Sequence, residues 1–272
     1  MTQLDSTRPV ALITGASSGI GAAIAQRLLG DGYRVFGTAR RPTAAQLHGV
    51  EMIELDVGSD ESVARCVKLV LERAGAIDVL VNNAGYLVAG AIEEVTMAEA
   101  KAQFETNFFG VARMLRAVLP HMRERKRGHL ITISSLAGLV PVPFWGYYNA
   151  SKFAVEGLVE TLRFETRPFG IKVALVEPGA IKTPFYAQPQ AAKMEDYARW
   201  RDAALGAMAK FEAKAPGPAL VANLVAKIAR SSNPKLRNRI TSEARMFSLL
   251  RWLLPAGAFA AGVRRGFGIN FR

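Results

Sequence analysis

Thr14-Gly15-Ala16-Ser17-Ser18-Gly19-Ile20-Gly21 decides the fold. The stretch closes an apolar run, 10–14, that reads as a buried strand. It opens a helical pattern over 20–29 that stops near Gly30 and Gly32. Strand, glycine-rich turn and helix in that order begin a βαβ unit. In such a turn Gly15 takes the tight bend, Gly19 lets backbone approach a pyrophosphate, and Gly21 allows helix and sheet to pack closely. The helix N-terminus then offers unpaired N–H groups and partial positive charge to phosphates. Gly15, Ser17, Ser18, Gly19, Ile20 and Gly21 are therefore candidate dinucleotide contacts. The alternative is a strand–helix turn with no ligand.

Outward from this turn, strand patterns recur at 34–38, 52–55, 79–82, 129–134 and 172–177, with helical patterns at 59–74, 97–125 and 147–167 between them. Such alternation predicts an α/β fold, a doubly wound parallel sheet of the Rossmann type covered on both faces. No repeat or linker divides the chain, so residues 1–272 read as a single domain. Beyond Pro178-Gly179 the pattern changes. Residues 183–216 predict a helical lid over the substrate site, followed by a helix at 219–230, a last strand at 236–241 and an apolar helix at 246–254. The C-terminal extension covers 243–272.

Half of the 272 residues are hydrophobic and 21% are charged, which excludes a disordered chain and a small disulfide scaffold. The lone Cys66, in a helical stretch, is read as an inert thiol. The N-terminus lacks a basic segment followed by an apolar run and cleavage site, so a cytoplasmic protein is expected. Residues 247–262 are interrupted by Arg251 and Pro255 and fall short of the roughly 20 residues that cross a bilayer. The net charge of +12 raises the question of nucleic acid. Its carriers are mostly scattered, and the densest run, Arg123-Glu124-Arg125-Lys126-Arg127, ends a helix where cations complement the dipole. No nucleic-acid partner is expected. His48, His121 and His129 have no ligand-like spacing, and no metal is expected.

The end of the second strand, Gly37-Thr38-Ala39-Arg40-Arg41, speaks to the choice of nucleotide. An NAD-binding unit places an acid there to accept from the ribose 2′-hydroxyl. Here Ala39 stands at that place and Arg40 follows, a guanidinium suited to a 2′-phosphate, so NADP(H) is the expected cofactor. Ser17 is a second candidate for that phosphate, and Arg41 reads as facing solvent. Tyr148 and Lys152 are four apart on one helix face and act on one point in space. A phenol ionises near pH ~10, and an adjacent ammonium together with a positive nicotinamide ring would favour the phenolate. The pair reads as an acid/base centre for carbonyl reduction or alcohol oxidation.

The three-residue gap in TGxxxGxG, with Asn82-Asn83-Ala84-Gly85, Asn107, Ser134-Ser135, Tyr148-Asn149-Ala150-Ser151-Lys152 and Pro178-Gly179 in this order, resembles the short-chain dehydrogenase/reductase family over roughly residues 8–185. The whole chain resembles its 17β-hydroxysteroid and retinol dehydrogenase-like branch. The resemblance implies that Lys152 also binds the nicotinamide ribose and that Ser135, rather than its neighbour Ser134, bonds the reacting oxygen. It implies that Asn107 disturbs a helix and holds a water beside the lysine. Asp56 would accept from the adenine amino group and Val57 donate from its backbone, although Asp56 also reads as an acid near a helix N-cap. Asn83, Ala84 and Gly85 would line the cofactor, with Asn83 alternatively tying neighbouring strands. Pro178, Gly179, Ile181 and Thr183 would reach the carboxamide.

The substrate is expected to be a bulky hydrophobic carbonyl or alcohol. The apolar connection 136–147, including Leu136, Leu139, Val140, Val142, Pro143, Phe144 and Trp145, would wall its pocket with Tyr86, Leu87, Val88, Phe185 and Tyr186, although ordinary core packing would also use such residues. Two other classes stay in view, a nucleotide-sensing regulator on the same fold and a polyanion or membrane-surface binder. A homodimer or homotetramer is expected. The apolar tail residues Phe247, Leu249, Leu250, Trp252, Leu253 and Leu254 need a partner surface. Packing on the lid and a neighbouring subunit is the first choice, and peripheral docking on anionic lipid through Arg251, Arg264, Arg265 and Arg272 competes with it.

Overall fold

The computed structural model describes residues 8–42, 47–183, 187–188 and 193–269. Its strands are β1 (Val10–Ile13), β2 (Arg34–Ala39), β3 (Glu51–Glu54), β4 (Val79–Asn82), β5 (Leu87–Val88), β6 (Gly128–Ile133), β7 (Ile171–Glu177), β8 (Ala187–Gln188) and β9 (Arg237–Arg239). Its helices are α1 (Gly19–Gly30), α2 (Asp60–Ala74), α3 (Met97–Phe104), α4 (Gly110–Glu124), α5 (Gly146–Thr166), α6 (Glu195–Ala213), α7 (Ala219–Ala229), α8 (Ser242–Leu253) and α9 (Ala256–Gly266). Seven strands form one parallel sheet in the order β3-β2-β1-β4-β6-β7-β9, which is the doubly wound Rossmann arrangement. The strand order reverses between β1 and β4. At such a switch point the connections leave the carboxyl ends in opposite directions and open a crevice.

Alternation along each strand divides the core between the two faces. Leu12, Phe36, Leu80, Leu130 and Leu175 pack with Val67, Met114, Val118 and Val155 of α2, α4 and α5. Their strand neighbours Ile13, Val35, Val81, Ile131 and Val176 pack with Ile24, Leu28, Val221 and Val225 of α1 and α7. Each such side chain contributes about 1.5–3 kcal/mol through burial, so both layers are held to the sheet without staples. Cys66 lies in the first of these layers, where burial pushes its thiol up to about 12.

Several elements differ from the sequence reading. The helix read over 97–125 is two helices joined by a π turn at Glu105–Phe109, because one extra residue is accommodated around the buried Asn107. The last strand shrinks from 236–241 to Arg237–Arg239, since Thr241 is used instead to cap α8 by accepting from the Ala244 N–H. That cap starts α8 at Ser242, ahead of the apolar residues that suggested a helix from 246. Pro255 then begins α9, and β5 pairs with β8 in a separate two-stranded sheet. Two-residue strands leave no periodicity to read.

Candidate active site

The glycine turn carries the chain from β1 into α1 across the mouth of the crevice. Gly15 and Gly19 have φ of 66° and 57°, left-handed values that other residues adopt at a cost. A Cβ on Gly15 would stand 2.9 Å from the Ala84 Cα, and one on Gly21 only 2.2 Å from the Gly15 carbonyl oxygen. The turn is braced from the next strand. The Asn83 amide donates to the carbonyls of Thr14 and Gly15, both at 3.0 Å. The Thr14 hydroxyl accepts from the N–H groups of Asn83 (2.9 Å) and Ala84 (3.0 Å). Asn83 therefore does tie neighbouring strands, β1 to β4. The N-cap residue of α1, Ser18, makes no side-chain cap bond, which leaves the first N–H groups of the helix directed at the crevice without a capping oxygen.

The same cavity reaches the ends of β2 and β3. Arg40 lines it from an exposed position, and no carboxylate pairs with Arg40 among the described residues. Asp56 lines it too. The Asp56 carboxylate accepts from the Gly58 N–H at 2.9 Å, while the N-cap of α2 is Ser59. Asp56 is thus fixed by a local turn, not spent on capping.

At the other end, Tyr148 and Lys152 stand one turn apart on α5, both buried. The Lys152 Nζ donates to the Ile133 carbonyl at 3.0 Å and lies 5.7 Å from the centre of the Tyr148 ring. Burial lowers the Lys152 ammonium to about 8, against the pull of Glu156 one turn further on. Burial raises the Tyr148 phenol to about 12, and its hydrogen bond with Ser135 pulls the other way. The ring is wedged edge-on against Trp145, 5.7 Å between centres. Ser135 follows β6 and also accepts from the Ala137 N–H at 3.1 Å. Ser134 turns the opposite way, toward Glu156 and the bare Cα of Gly138, as strand alternation requires.

Asn107 sits behind this group in the π turn. Its carboxamide accepts from the Tyr86 N–H (3.0 Å) and donates to the Tyr86 carbonyl (2.9 Å) and the Ser151 hydroxyl (3.2 Å). It fixes the backbone beyond Gly85 to the helix that bears Lys152. The Pro178 carbonyl accepts from the Leu136 N–H at 2.7 Å, so the turn through Gly179, Ile181 and Thr183 is held beside Ser135. Behind Lys152 lies a charge cluster, in which half-buried Arg237 pairs with buried Glu156 and Glu177 and with exposed Glu160. Burial raises Glu156, and it raises Glu177 to about 7.

One cavity of about 640 Å³ joins all of this. Gly15, Ser17, Ser18, Gly19, Ile20, Arg40, Asp56, Val57, Asn83, Ala84, Gly85, Ser135, Tyr148, Lys152, Pro178, Gly179, Ile181 and Thr183 line it. Gly21 and Asn107 act from behind the wall. Of the connection 136–147, Leu136, Ala137, Val140, Pro141, Val142 and Trp145 face the cavity; Leu139, Pro143 and Phe144 do not. Tyr86 reaches it, whereas Leu87 and Val88 are buried in separate apolar clusters because β5 turns them into the protein. Phe185 and Tyr186 lie outside the described residues. The sequence reading missed Met208 and Phe211 on α6 and Phe259, Val263 and Phe267 at the C-terminus, all of which complete the apolar end. Helix α6 is anchored by a buried ion pair of Arg201 with Glu94, whose carboxylate also accepts from the N–H groups of Ala91 and Met194.

The family model of the short chain dehydrogenases matches residues 9–193. A 3-ketodihydrosphingosine reductase of Bacteroides thetaiotaomicron is 41% identical over 235 residues, covering 85% of this chain and 87% of that protein. Retinol dehydrogenase 8 of Bos taurus is 36% identical, with 93% of this chain and 88% of that protein covered. Among solved structures, a short-chain dehydrogenase from Streptomyces avermitilis superposes with a TM-score of 0.83 at 36% identity, covering 97% of this chain and all of that one. A variant of an actinorhodin polyketide ketoreductase with NADPH gives 0.76 at 32% identity, covering 89% and 99%.

Proposed function

Because the chain belongs to the short chain dehydrogenase family, whose members work with a nicotinamide cofactor, we propose that it is an NADP(H)-dependent reductase of bulky hydrophobic carbonyl compounds. The observation that carries this is the placement of Tyr148, Ser135 and Lys152 in the same cavity as the glycine turn and Arg40. The turn fits a dinucleotide. Side chains are absent where Cβ atoms would collide, the α1 N-terminus is uncapped, and Arg40 stands where a 2′-phosphate would need a cation. Gly15, Ser17, Ser18, Gly19, Ile20 and Arg40 would hold the phosphates, Asp56 and Val57 the adenine, and Asn83, Ala84, Gly85, Pro178, Gly179, Ile181 and Thr183 the remainder. When bound, NADPH supplies the hydride for the carbonyl carbon.

The protein's own groups do the rest. Burial keeps the Tyr148 phenol protonated at neutral pH, and in the reductive direction it can donate to the developing alkoxide. Ser135 orients the carbonyl oxygen toward that proton. Lys152 holds its charge beside Tyr148 and would bind the nicotinamide ribose, and Asn107, through Tyr86 and Ser151, keeps the two walls in register. The apolar end made by Val142, Met208, Phe259 and Phe267 supports a long or polycyclic substrate. Relatives named for a ketosphingoid and for retinol point to the same physical class. Exposed Phe109 in the π turn and exposed Phe153 and Phe164 on α5 support a homo-oligomer. The test is turnover of the purified chain with a panel of long-chain, polycyclic and small ketones, each with NADPH and NADH. Reduction of the lipophilic ketones with NADPH is expected; preference for NADH, or for small polar ketones, contradicts the reading.

A further inference from the structure

The last two helices turn two faces to two environments. On the inner face Phe247, Phe259 and Val263 line the cavity, and Phe267 joins Leu205 and Met208 of the lid. On the outer face Met246, Leu249, Trp252, Leu253 and Leu254 are exposed, Trp252 by 81%. Leu249, Trp252 and Leu253 stand at i, i+3 and i+4 near the end of α8, and α9 starts directly after Pro255. They crown the tip of a helical hairpin. A tryptophan with two leucines at such a tip forms an apolar patch that asks for a partner surface.

The surrounding charge identifies the partner. Residues 213–272 hold eleven lysines and arginines against one acid, Glu243, which places ten of the chain's twelve net positive charges there. The net charge is therefore concentrated, although charged residues as such are scattered. Arg230, Arg237 and Arg239 are held by carboxylates outside this segment. Arg245, Arg251 and Arg265 lie along the hairpin itself, and the Arg251 guanidinium sits 5.3 Å above the Phe259 ring. Two copies meeting through this face would bring like charges together. Anionic headgroups remove that repulsion, and apolar side chains ringed by arginine suit a headgroup–acyl boundary. No helix among the described residues is long and apolar enough to cross a membrane, so the contact is with its surface.

We propose that the α8–α9 hairpin docks on an anionic lipid bilayer, with Trp252, Leu253 and Leu254 at the headgroup–acyl boundary and the arginines on the headgroups. Docking sets the apolar wall of the cavity beside the bilayer. That a lipid-dissolved carbonyl compound enters there rests on the reductase reading; the docking itself does not.

Co-sedimentation of the full chain with phosphatidylcholine vesicles, with and without about one third phosphatidylglycerol, reads docking without any turnover. The chain is expected to sediment with the anionic vesicles at low salt, to be released by about 1 M salt, and to stay in solution with phosphatidylcholine alone. The double substitution Trp252→Ser with Leu253→Gln should lower partitioning about tenfold or more, with melting temperature and NADPH affinity unchanged, because both side chains are solvent-exposed. Arg265→Gln should lower it about fivefold. No sedimentation with anionic vesicles, or equal sedimentation of the double variant, overturns the proposal. So does a solution mass that halves in the variant, which would assign the patch to a second copy. Loss of ketone reduction with vesicle binding intact would count against the reductase reading alone.

Discussion

The two walls of the cavity are built by different means. The wall proposed for the nucleotide is largely main chain. Gly15 and Gly19 supply left-handed turns, Asn83 and Thr14 fasten them to the next strand, and Arg40 and Asp56 line its far end. The substrate wall is side chain, gathered from the connection before α5 and from α6, α8 and α9. A wall of backbone fixes one ligand shape and tolerates little change. A wall of apolar side chains from four separate segments sets size and polarity, and can change while the chemistry is kept.

Tyr148, where the walls meet, gives the sharpest contrast between binding and chemistry. Tyr148→Phe removes one hydroxyl and keeps the ring against Trp145. Steady-state reduction should fall about 10²–10⁴-fold, while NADPH affinity by fluorescence titration stays within about twofold. A variant that loses both would mean that the walls are not separable. Next in size, Arg40→Leu should weaken NADPH about ten- to a hundredfold and leave NADH nearly unchanged, and adding Ala39→Asp should turn the preference toward NADH. Equal losses for the two nucleotides would place the 2′-phosphate elsewhere.

On the substrate wall, Arg201→Met leaves Glu94 buried without its cation, a loss that loosens the anchor of α6. The Michaelis constant for a bulky ketone should rise about tenfold, more than that for NADPH, with a fall in melting temperature. A larger effect on NADPH would show that the lid serves the nucleotide wall. The smallest effect concerns the charges behind Lys152. Glu177 is raised from 4.5 to about 7, so the folded state holds more protons than the unfolded one between these values, and stability falls as pH rises through them. Lys152 is lowered from 10.5 to about 8; its penalty is present below about 8 and is relieved as pH climbs toward 10.5. Glu177→Gln should flatten the first slope, worth no more than about 3 kcal/mol in urea melts between about pH 5 and pH 8. An unchanged slope would acquit Glu177.

The same division decides what could be read in advance. The glycine turn, Arg40 and the Tyr148–Lys152 pair were legible because their constraints are local: a positive φ, a charge at a strand end, two residues one helical turn apart. The seven-stranded sheet followed from its alternating apolar runs. Phe259, Val263 and Phe267 left no comparable trace. Their i, i+4, i+8 spacing is helical, but Gly257, Gly262 and Gly266 lower the helix propensity of the segment, and the cavity that gives them meaning forms only when the C-terminus returns to α6. Phe144 and Leu139 failed for the converse reason: apolar character predicts burial but not which buried surface. The π turn was invisible because one added residue leaves helical spacing on either side intact.

A crystal of the chain with NADPH tests most directly the claim that one cavity joins a backbone wall for the nucleotide to a side-chain wall for the substrate. The 2′-phosphate should lie within hydrogen-bonding distance of Arg40, the pyrophosphate on the α1 N-terminus, and the nicotinamide beside Tyr148 with its open face toward Val142 and Phe259. Nucleotide density that avoids the glycine turn, or a nicotinamide directed away from Tyr148, would contradict it.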